Sequence, residues 1–418
     1  MRKKLKKNIP KLRFPEFKDG WKEKKLDQLI QIKSGYAFSS RFFSTNETDK
    51  ILLTPGNFHV NGGLYFGSNT KYYEGEVTKE YILSNGDLLI VMTDLTKEMN
   101  ILGNSIFLES AKIVLHNQRI GKILIKEDLL VTRCFLRDVL NLDICKENIR
   151  KSATGSTVRH TSNKSILSIE IFIPSIAEQK KIASFLGAID KRLTQLRRKH
   201  KLLQTYKRGV MQKIFSQEVR FKGAIELAFP DWEKKKLSEI SNKISDGIHS
   251  TPKYDENGEY YFINGNNLID TKIEFDENTK RVDKSEYLKH KNELTSQTIL
   301  ISINGTIGNL AFYNNEKIVL GKSACYIDLK SEENKFFVFY FLQTSSIRTH
   351  FNKELTGSTI KNLSLTTIKN TKALFPSHKE QEKIADFLTA IDQKIEAVAR
   401  QIDRTEQFKK GLLQKMFV

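Results

Sequence analysis

Residues 173–190 read IPSIAEQKKIASFLGAID and residues 375–392 read FPSHKEQEKIADFLTAID, so one segment occurs twice, 202 residues apart. A repeat unit of about half the chain indicates two similar scaffolds in one protein. At the same spacing and without a gap, the match reaches back to TGST at 154–157 and 356–359, and forward to Phe215 and Phe417.

Outside these segments the two halves are less alike. Residues 27–150 and 238–350 align only in scraps. Similar scaffolds with dissimilar inserts are typical of a protein that performs one kind of recognition on two different targets. The weaker echoes are Trp21–Leu26 with Trp232–Leu237, Phe14-Pro15 with Phe229-Pro230, and Gly56-Asn57 with Gly265-Asn266.

Each copy of the repeat continues as a heptad pattern, which predicts a long helix. Pro174 and Pro376 stand just ahead of the two patterns, and neither pattern contains another proline. At 1.5 Å per residue, a helix over 178–215 is about 57 Å long. The seams are Ile182, Ile189, Leu196, Leu203 and Val210 with Leu186, Leu193, His200, Lys207 and Ile214 in the first copy, and Ile384, Ile391, Val398, Thr405 and Leu412 with Leu388, Ile395, Ile402, Lys409 and Met416 in the second.

The two predicted helices are each other's expected partners, because each alone would leave a long aliphatic stripe in water. Residues 178–215 hold 11 Lys and Arg against 2 Asp and Glu, whereas residues 380–417 hold seven of each. An internal pseudo-twofold relation favours antiparallel pairing, and the alternative is that each helix packs on a separate domain. Gly209 and Gly411 would each cost about 1 kcal/mol inside a helix, so they mark helix ends or the close approach of a partner.

Apolar runs in the inserts, such as 88–91 and 298–303, follow turn residues and predict buried strands, and 336–342 predicts a short helix. The expected fold class is therefore α/β (α+β), with two mixed α/β domains joined by two long helices that pair as an antiparallel coiled coil. The predicted segments are 1–175, a first domain with a basic N-terminal tail; 176–216, a long helix; 217–377, a second domain; and 378–418, a second long helix.

The formal net charge of the chain is +20, and it is unevenly distributed. Residues 1–217 hold 39 Lys and Arg against 21 Asp and Glu, while residues 218–418 hold 30 against 28. The excess predicts a phosphate-binding surface on the N-terminal tail and the first helix, or else a solvated basic face. Three cysteines without paired spacing, together with the absence of a signal peptide or membrane-spanning run, predict a cytoplasmic protein with no membrane partner.

Amide and guanidinium side chains concentrate at the predicted turns. Asn, Gln and Arg can make bidentate contacts with base edges in the major groove of DNA, although Asn is also a common turn former. Gln118 and Arg119, beside a strand-like run, are the strongest of these candidates. The full set of candidate DNA-binding residues at turns, with two neighbouring lysines, is Asn57, Asn117, Gln118, Arg119, Lys122, Asn266, Asn267, Asn304 and Lys322.

The sequence offers no catalytic or metal site. It has no Pro-Pro pair for an amino-methyltransferase turn, and Gly321-Lys322-Ser323 is no phosphate loop because position 316 is Glu. Asp231, Asp270 and Lys272 have spacings that arise at random, and the histidines show no metal-ligand spacing.

With its two Gly-Ser-Thr turns, its two Glu-Gln helix starts and its divergent inserts, the chain resembles the specificity subunit of type I restriction-modification enzymes over nearly its full length. The resemblance implies a non-catalytic subunit that reads double-stranded DNA. Each insert would be a target recognition domain for one half of a bipartite site, and the paired helices would fix the spacer.

The resemblance also implies partners and cofactors. Two methyltransferase subunits would dock on the repeats and modify adenine using S-adenosylmethionine, and two restriction subunits, which use ATP and Mg²⁺, would complete the complex. No cofactor is expected in this chain. The alternatives are a self-contained DNA nuclease or methyltransferase, and a coiled-coil adaptor that binds only proteins.

Two further residue sets follow from the resemblance. The Gly-Ser-Thr regions are expected to contact DNA through Thr154, Ser156, Thr157, Arg159, Thr356, Ser358, Thr359 and Lys361, unless they are only turns capped by hydroxyl groups. The expected subunit-docking residues are Glu178, Gln179, Gly209, Phe215, Glu380, Gln381, Gly411 and Phe417.

Overall fold

The computed structural model describes residues 8–60, 62–223, 228–357 and 361–418, and its helices confirm the two long segments predicted from the repeat. Each begins two residues after its proline, a residue that is tolerated ahead of a helix and in its first turn but not in a helix interior. The helices are α1 (Leu26–Leu29), α2 (Arg133–Leu140), α3 (Asp143–Lys151), α4 (Asn163–Leu167), α5 (Ile176–Phe215), α6 (Lys284–His290), α7 (Lys335–Leu342), α8 (Ser345–Lys353), α9 (Leu365–Asn370) and α10 (His378–Met416).

The chain divides into two compact units, and both long helices contribute to each of them. Unit 1 consists of residues 1–196 and 401–418, and unit 2 consists of residues 197–400. These units differ from the four segments expected from the sequence, because each unit takes half of α5 and half of α10.

Within each unit, the start of one long helix packs against the end of the other. In unit 1, Ile182 and Leu186 of α5 share a core with Leu412 and Met416 of α10. In unit 2 the roles are reversed, and its core joins residues of both helices: Met211 and Ile214 of α5 with Ile384, Leu388 and Ile391 of α10. The helices therefore pair antiparallel, as predicted.

Unit 1 contains a four-stranded antiparallel sheet of order β2-β11-β7-β9 and a five-stranded sheet of order β3-β5-β4-β10-β6, with the small pairs β1-β13 and β8-β12. The strands are β1 (Lys22–Lys25), β2 (Ile30–Ser34), β3 (Phe43–Ser44), β4 (Lys50–Leu53), β5 (Lys71–Tyr73), β6 (Ile82–Leu83), β7 (Leu88–Val91), β8 (Thr93–Asp94), β9 (Ser105–Phe107), β10 (Ile113–His116), β11 (Ile120–Ile125), β12 (Arg159–His160) and β13 (Glu170–Ile173).

Unit 2 contains a four-stranded sheet of order β15-β23-β20-β21 and a three-stranded sheet of order β19-β16-β22, with the pairs β14-β24 and β17-β18. The strands are β14 (Glu233–Lys236), β15 (Ser241–Asp246), β16 (Tyr260–Ile263), β17 (Leu268–Ile269), β18 (Lys272–Ile273), β19 (Arg281–Val282), β20 (Thr298–Ser302), β21 (Leu310–Phe312), β22 (Ile318–Leu320), β23 (Ala324–Leu329) and β24 (Lys372–Phe375).

The two inserts have a similar strand topology although their sequences are dissimilar. The four-stranded sheets correspond strand for strand, and each second sheet contains one parallel pair, β4 with β10 in unit 1 and β16 with β22 in unit 2. Backbone ladders need only compatible side-chain patterning, so the pairing survives where residue identity does not.

The structure also corrects one alignment between the inserts. Asn57 and Asn267 each accept a backbone hydrogen bond, at 2.9 Å, from the residue three positions earlier in a short 3₁₀ turn. Asn57 therefore corresponds to Asn267 and not to Asn266, one position away from the register that the Gly-Asn dipeptides indicated.

Candidate nucleic-acid interface

Three loops of unit 1 meet at one edge, tied together by backbone hydrogen bonds. Met92, just after β7, donates its N–H to the carbonyl of Arg119 in the turn between β10 and β11, at 2.9 Å. Its own carbonyl accepts from Thr161 at 3.0 Å, and Thr154 and His160 exchange two bonds of 2.9 Å that close the Gly-Ser-Thr hairpin. We call residues 92–94, 117–119 and 154–161 the loop face of unit 1.

Unit 2 repeats this arrangement bond for bond. Ile303 donates to the carbonyl of Ser323 at 2.9 Å and accepts from Leu363 at 2.9 Å. Thr356 and Asn362 exchange backbone bonds of 3.0 and 2.9 Å. The loop face of unit 2 consists of residues 303–305, 321–323, 356–357 and 361–363.

Several side chains on the two faces are different at equivalent positions, although the Thr-Gly start of the hairpin recurs at 154–155 and 356–357. Gln118 and Lys322 are both exposed at the centre of the turn that precedes β11 in unit 1 and β23 in unit 2. The other unlike pairs are Thr93 with Asn304, Arg159 with Lys361, and His160 with Asn362. One backbone frame therefore presents two sets of hydrogen-bonding groups.

The loop face of unit 1 borders an open cleft of about 410 Å³. The Thr93 hydroxyl and Nδ1 of His160 lie 2.8 Å apart within it, so the histidine ring is held in place. Its polar lining, which includes Ser34, Thr93, Gln118, His160, Asn163 and Lys164, can donate and accept hydrogen bonds and carries one exposed cation.

The hairpins hold most of the residues expected from the Gly-Ser-Thr motif. Thr154, Ser156, Thr157, Thr356 and Lys361 are exposed and Arg159 is half-buried, while Ser358 and Thr359 lie outside the described residues. The hairpin needs its glycine, because Gly155 has a φ of +99° and a Cβ there would lie 2.0 Å from the Val158 carbonyl oxygen.

Four of the predicted DNA-binding residues have their polar groups engaged inside the protein. Asn57 and Asn267 are 1% and 9% exposed, and their amides also donate at 3.1 Å to backbone carbonyls. Asn117 is mostly buried and accepts from the N–H of Arg119 at 3.0 Å, and Lys122 pairs with Asp87 at 2.7 Å. We assign these four to shaping the loops.

The other candidates stay exposed or half-buried at the loop faces. Arg119, Asn304 and Lys322 lie on the faces themselves. Exposed Asn266 lies in the turn whose Gly265 N–H donates to the Ser323 hydroxyl at 2.9 Å.

The repeated Glu-Gln motif lies in the interior of each unit. Glu178 is 1% exposed and binds the guanidinium of Arg13 through both oxygens, at 2.7 and 2.8 Å, and the indole N–H of Trp21 at 3.3 Å. This carboxylate holds the pKa of Arg13 above its ordinary value through the hydrogen bond. We call Arg13, Trp21 and Glu178 the clasp of unit 1.

The clasp of unit 2 consists of Arg220, Trp232 and Glu380. Arg220 reaches both oxygens of Glu380 at 3.2 and 2.8 Å, and the Trp232 indole donates at 3.1 Å. The Arg-Phe dipeptides at 13–14 and 220–221 are a sequence signal for this clasp, but the Phe-Pro dipeptides favoured a different alignment. Phe14 packs on Phe185 as Phe221 packs on Phe387, so Phe14 corresponds to Phe221 and not to Phe229.

The glutamines tie the helix starts to the preceding segments. Gln179 accepts from the Thr132 N–H and Gln381 from the Asn334 N–H, at 2.8 and 2.9 Å, and both donate to the carbonyl of the proline before the helix. Glu178, Gln179, Glu380 and Gln381 are thus buried and satisfied within the chain, which leaves none of the four at the surface for docking. Phe215 and Phe417 likewise pack against the tryptophan of the clasp in their own unit.

Gly209 and Gly411 lie inside the long helices, so they do not mark helix ends. Nothing lies within 4 Å of a Cβ added at either position. Of the expected docking residues, these two glycines are the ones that face open space.

In the part of the chain that the structure describes, no group of three or more His, Cys, Asp and Glu side chains is placed to hold a metal ion. None of the described helices has the length and apolar character required to cross a bilayer.

A family model described as type I restriction modification DNA specificity domain matches residues 18–204 and again residues 230–407. The chain belongs to this specificity family. A type I restriction enzyme MjaVIII specificity subunit from Methanocaldococcus jannaschii is 26% identical over 80% of this chain and 79% of its own length. The type I restriction enzyme EcoBI specificity subunit of Escherichia coli is 22% identical over 96% of this chain and 86% of its own length.

The fold of this specificity-family chain is also that of a solved relative. The type I restriction-modification S subunit from M. genitalium has a TM-score of 0.61 at 17% identity, covering 98% of this chain and 99% of its own. A non-catalytic DNA specificity subunit is the role predicted from the sequence, and the two family matches confirm it.

Proposed function

We propose that this chain reads a DNA target in two parts, one with each loop face. The observation that carries the proposal is the repetition of one backbone frame with unlike side chains, Gln118 with its neighbours in unit 1 and Lys322 with its neighbours in unit 2. Phosphate contacts position a protein on the duplex, while side chains that reach base edges specify sequence. Two unlike faces would therefore read two unlike half-sites.

The long helices supply the spacer in this proposal. α5 has 40 residues and α10 has 39, which corresponds to about 60 Å at 1.5 Å per residue. This exceeds one turn of B-DNA, about 34–36 Å, so the spacer between the half-sites would span roughly one turn or more. The bases between them would be unspecified.

The family match supports the partners in this proposal. The chain would work with double-stranded DNA in the cytoplasm, together with two methyltransferase subunits and two restriction subunits. S-adenosylmethionine would be bound by the methyltransferase subunits, and ATP and Mg²⁺ by the restriction subunits. No cofactor is assigned to this chain.

The test is an exchange of one insert. Residues 238–350 are replaced by the corresponding insert of another specificity subunit, and modified adenines are mapped across a genome that carries the methyltransferase partner. One half of the methylated motif should change while the other half and the spacer stay the same. A motif that changes in both halves, or an uninterrupted motif, would overturn the proposal.

A further inference from the structure

One apolar residue lies beside the polar turn at the centre of each loop face. In unit 1 this residue is Tyr36, just after β2. Its N–H donates to the carbonyl of His116 at 2.8 Å, and its carbonyl accepts from the N–H of Gln118 at 3.0 Å. The two bonds bracket Asn117 and fix the backbone of Tyr36 directly beside the turn that carries Gln118.

A glycine brings the two segments together in each unit. A Cβ at Gly35 would lie 2.3 Å from carbonyl oxygens of the turn, so a residue with a side chain cannot take this place unless the turn moves. In unit 2 a Cβ at Gly247 would lie 2.0 Å from the Leu320 carbonyl oxygen. The next residue, Ile248, donates its N–H to that carbonyl at 2.8 Å. Ile248 is therefore the counterpart of Tyr36.

The ring of Tyr36 is 49% exposed, yet other rings of unit 1 hold it in place. Its centroid lies 5.1 Å from that of buried Phe38, edge to face, and 4.9 Å from that of Tyr81. A side chain that is already ordered loses little conformational freedom on binding. The ring thus offers a fixed apolar surface next to an amide that can bind a base edge.

The chemistry that Tyr36 and Ile248 share narrows their role. A phenol and an aliphatic side chain have no hydrogen-bonding pattern in common, and only the ring can stack on a base. Both can make an apolar contact. In the major groove, the apolar feature of a base edge is the C5 methyl group of thymine, and the same groove presents the adenine edge that an amide such as that of Gln118 can bind.

We infer that Tyr36 and Ile248 each contact the C5 methyl group of a thymine in the half-site of their own unit. This inference rests on the proposed function and deepens it. Under that proposal each half-site contains a thymine, because the adenine to be modified pairs with one. Each loop face would therefore combine hydrogen bonds to base edges with one apolar contact to a methyl group.

The experiment removes single methyl groups from the DNA. Duplexes that carry the methylated motif are made with one thymine at a time replaced by uracil, and their binding to the free full-length chain is measured by fluorescence anisotropy. The insert exchange assigns each half-site to its unit. In each half-site one replacement should weaken binding about fourfold, which corresponds to about 0.8 kcal/mol for one buried methyl group.

Single substitutions then assign each sensitive thymine to a side chain. Tyr36→Ala should bind the uracil and thymine duplexes of the unit 1 half-site equally well, whereas Tyr36→Phe keeps the apolar ring and should keep the difference. Ile248→Ala should remove the difference in the half-site of unit 2 alone. Tyr206→Ala is the matched control, because Tyr206 is a 52% exposed tyrosine on α5, outside both loop faces, and it should keep both differences.

The inference is overturned if the unchanged chain binds every uracil duplex of a half-site as well as the thymine duplex, a result that depends on no variant. It is also overturned if Tyr36→Ala still distinguishes thymine from uracil in the unit 1 half-site. Weaker binding by Tyr36→Ala without any effect of uracil would assign the ring to a base face or the DNA backbone, and the methyl contact would be wrong. Binding that ignores base-pair changes throughout one half-site would instead refute the proposed function itself.

Discussion

The clasps and the loop faces are both repeated, but they repeat different things. In the clasps the side chains recur, so that Arg, Trp and Glu meet in the same way in both units. In the loop faces the backbone bonds and the Thr-Gly start of the hairpin recur, but the exposed side chains of the neighbouring turns differ. The buried residues of the clasps are the same in both units, whereas exposed residues of the loop faces differ.

Removing one carboxylate tests whether the clasp of unit 2 stabilises the fold. Glu380→Ala removes the acceptor of the Trp232 indole and the carboxylate paired with Arg220, which keeps the Pro230 carbonyl, and breaking a buried ion pair costs up to about 3–5 kcal/mol. Urea unfolding should show a loss of that order. Glu382→Ala, in the same helical turn but exposed, is the control and should change stability by less than about 0.5 kcal/mol. Equal losses in the two variants would mean that the clasp stabilises nothing.

One residue that differs between the two units, Asp138 in unit 1, predicts an effect of pH on stability. Burial raises the pKa of Asp138 in unit 1 to about 6, against the attraction of Arg137 and Lys409. The folded state keeps this proton between about pH 4 and pH 6 while the unfolded chain releases it, so stability falls as pH rises through that range, by up to about 3 kcal/mol.

Urea unfolding of the Asp138→Asn variant should lack this pH-dependent loss. The equivalent residue of unit 2 is Tyr340, whose hydroxyl donates to Asp392 at 2.8 Å and does not titrate in this range. Tyr340→Phe is therefore the control, and its stability should follow the same pH profile as the unchanged chain. An Asp138→Asn profile that parallels the unchanged chain would refute the assignment.

Two single substitutions test whether each loop face contacts its own half of the DNA motif. Gln118→Ala and Lys322→Ala should each weaken binding to the methylated motif by about 1–3 kcal/mol, roughly 5- to 150-fold, through loss of a contact with bases or phosphates. Each should act on its own half of the motif. Mutated half-sites measured by anisotropy would show this, with Gln31→Ala, an exposed glutamine on β2, as the control. Identical effects on both halves would contradict two independent faces.

The smallest expected effect concerns the glycines. Gly209→Ala and Gly411→Ala should each stabilise the free chain by up to about 1 kcal/mol, because alanine is the better helix former and its Cβ meets nothing. Thermal unfolding measures the gain. Gly155→Ala should have the opposite sign, since its Cβ would clash with the Val158 carbonyl. A loss of stability at Gly209 would show that its surroundings are not open.

The long helices were predictable because a heptad seam bounded by proline depends on local sequence alone. The predicted long-helix segments were 176–216 and 378–418, and the structure places the helices at Ile176–Phe215 and His378–Met416. The common topology of the inserts was not predictable, since strand pairing between β4 and β10 or between β16 and β22 depends on contacts far apart in sequence.

The candidate site was predictable only in part, because asparagine serves two purposes. Asn57 and Asn267 carry the amide that can read adenine, yet the same amide closes a 3₁₀ turn, and composition cannot separate the two uses. Glu178 and Glu380 were conspicuous because they recur, but recurrence alone does not distinguish an interior clasp from a surface. Arg13 and Arg220 were missed because their partners lie 165 and 160 residues away.

The division of α10 between the units has a consequence for synthesis on the ribosome. Residues 197–400 contain all of unit 2, whereas unit 1 needs residues 401–418 as well as 1–196. Leu412, Met416 and Phe417 are core residues of unit 1 and are translated after all of unit 2. Unit 1 can therefore be completed only after unit 2, and a chain released before residue 412 would lack these three residues of the unit 1 core.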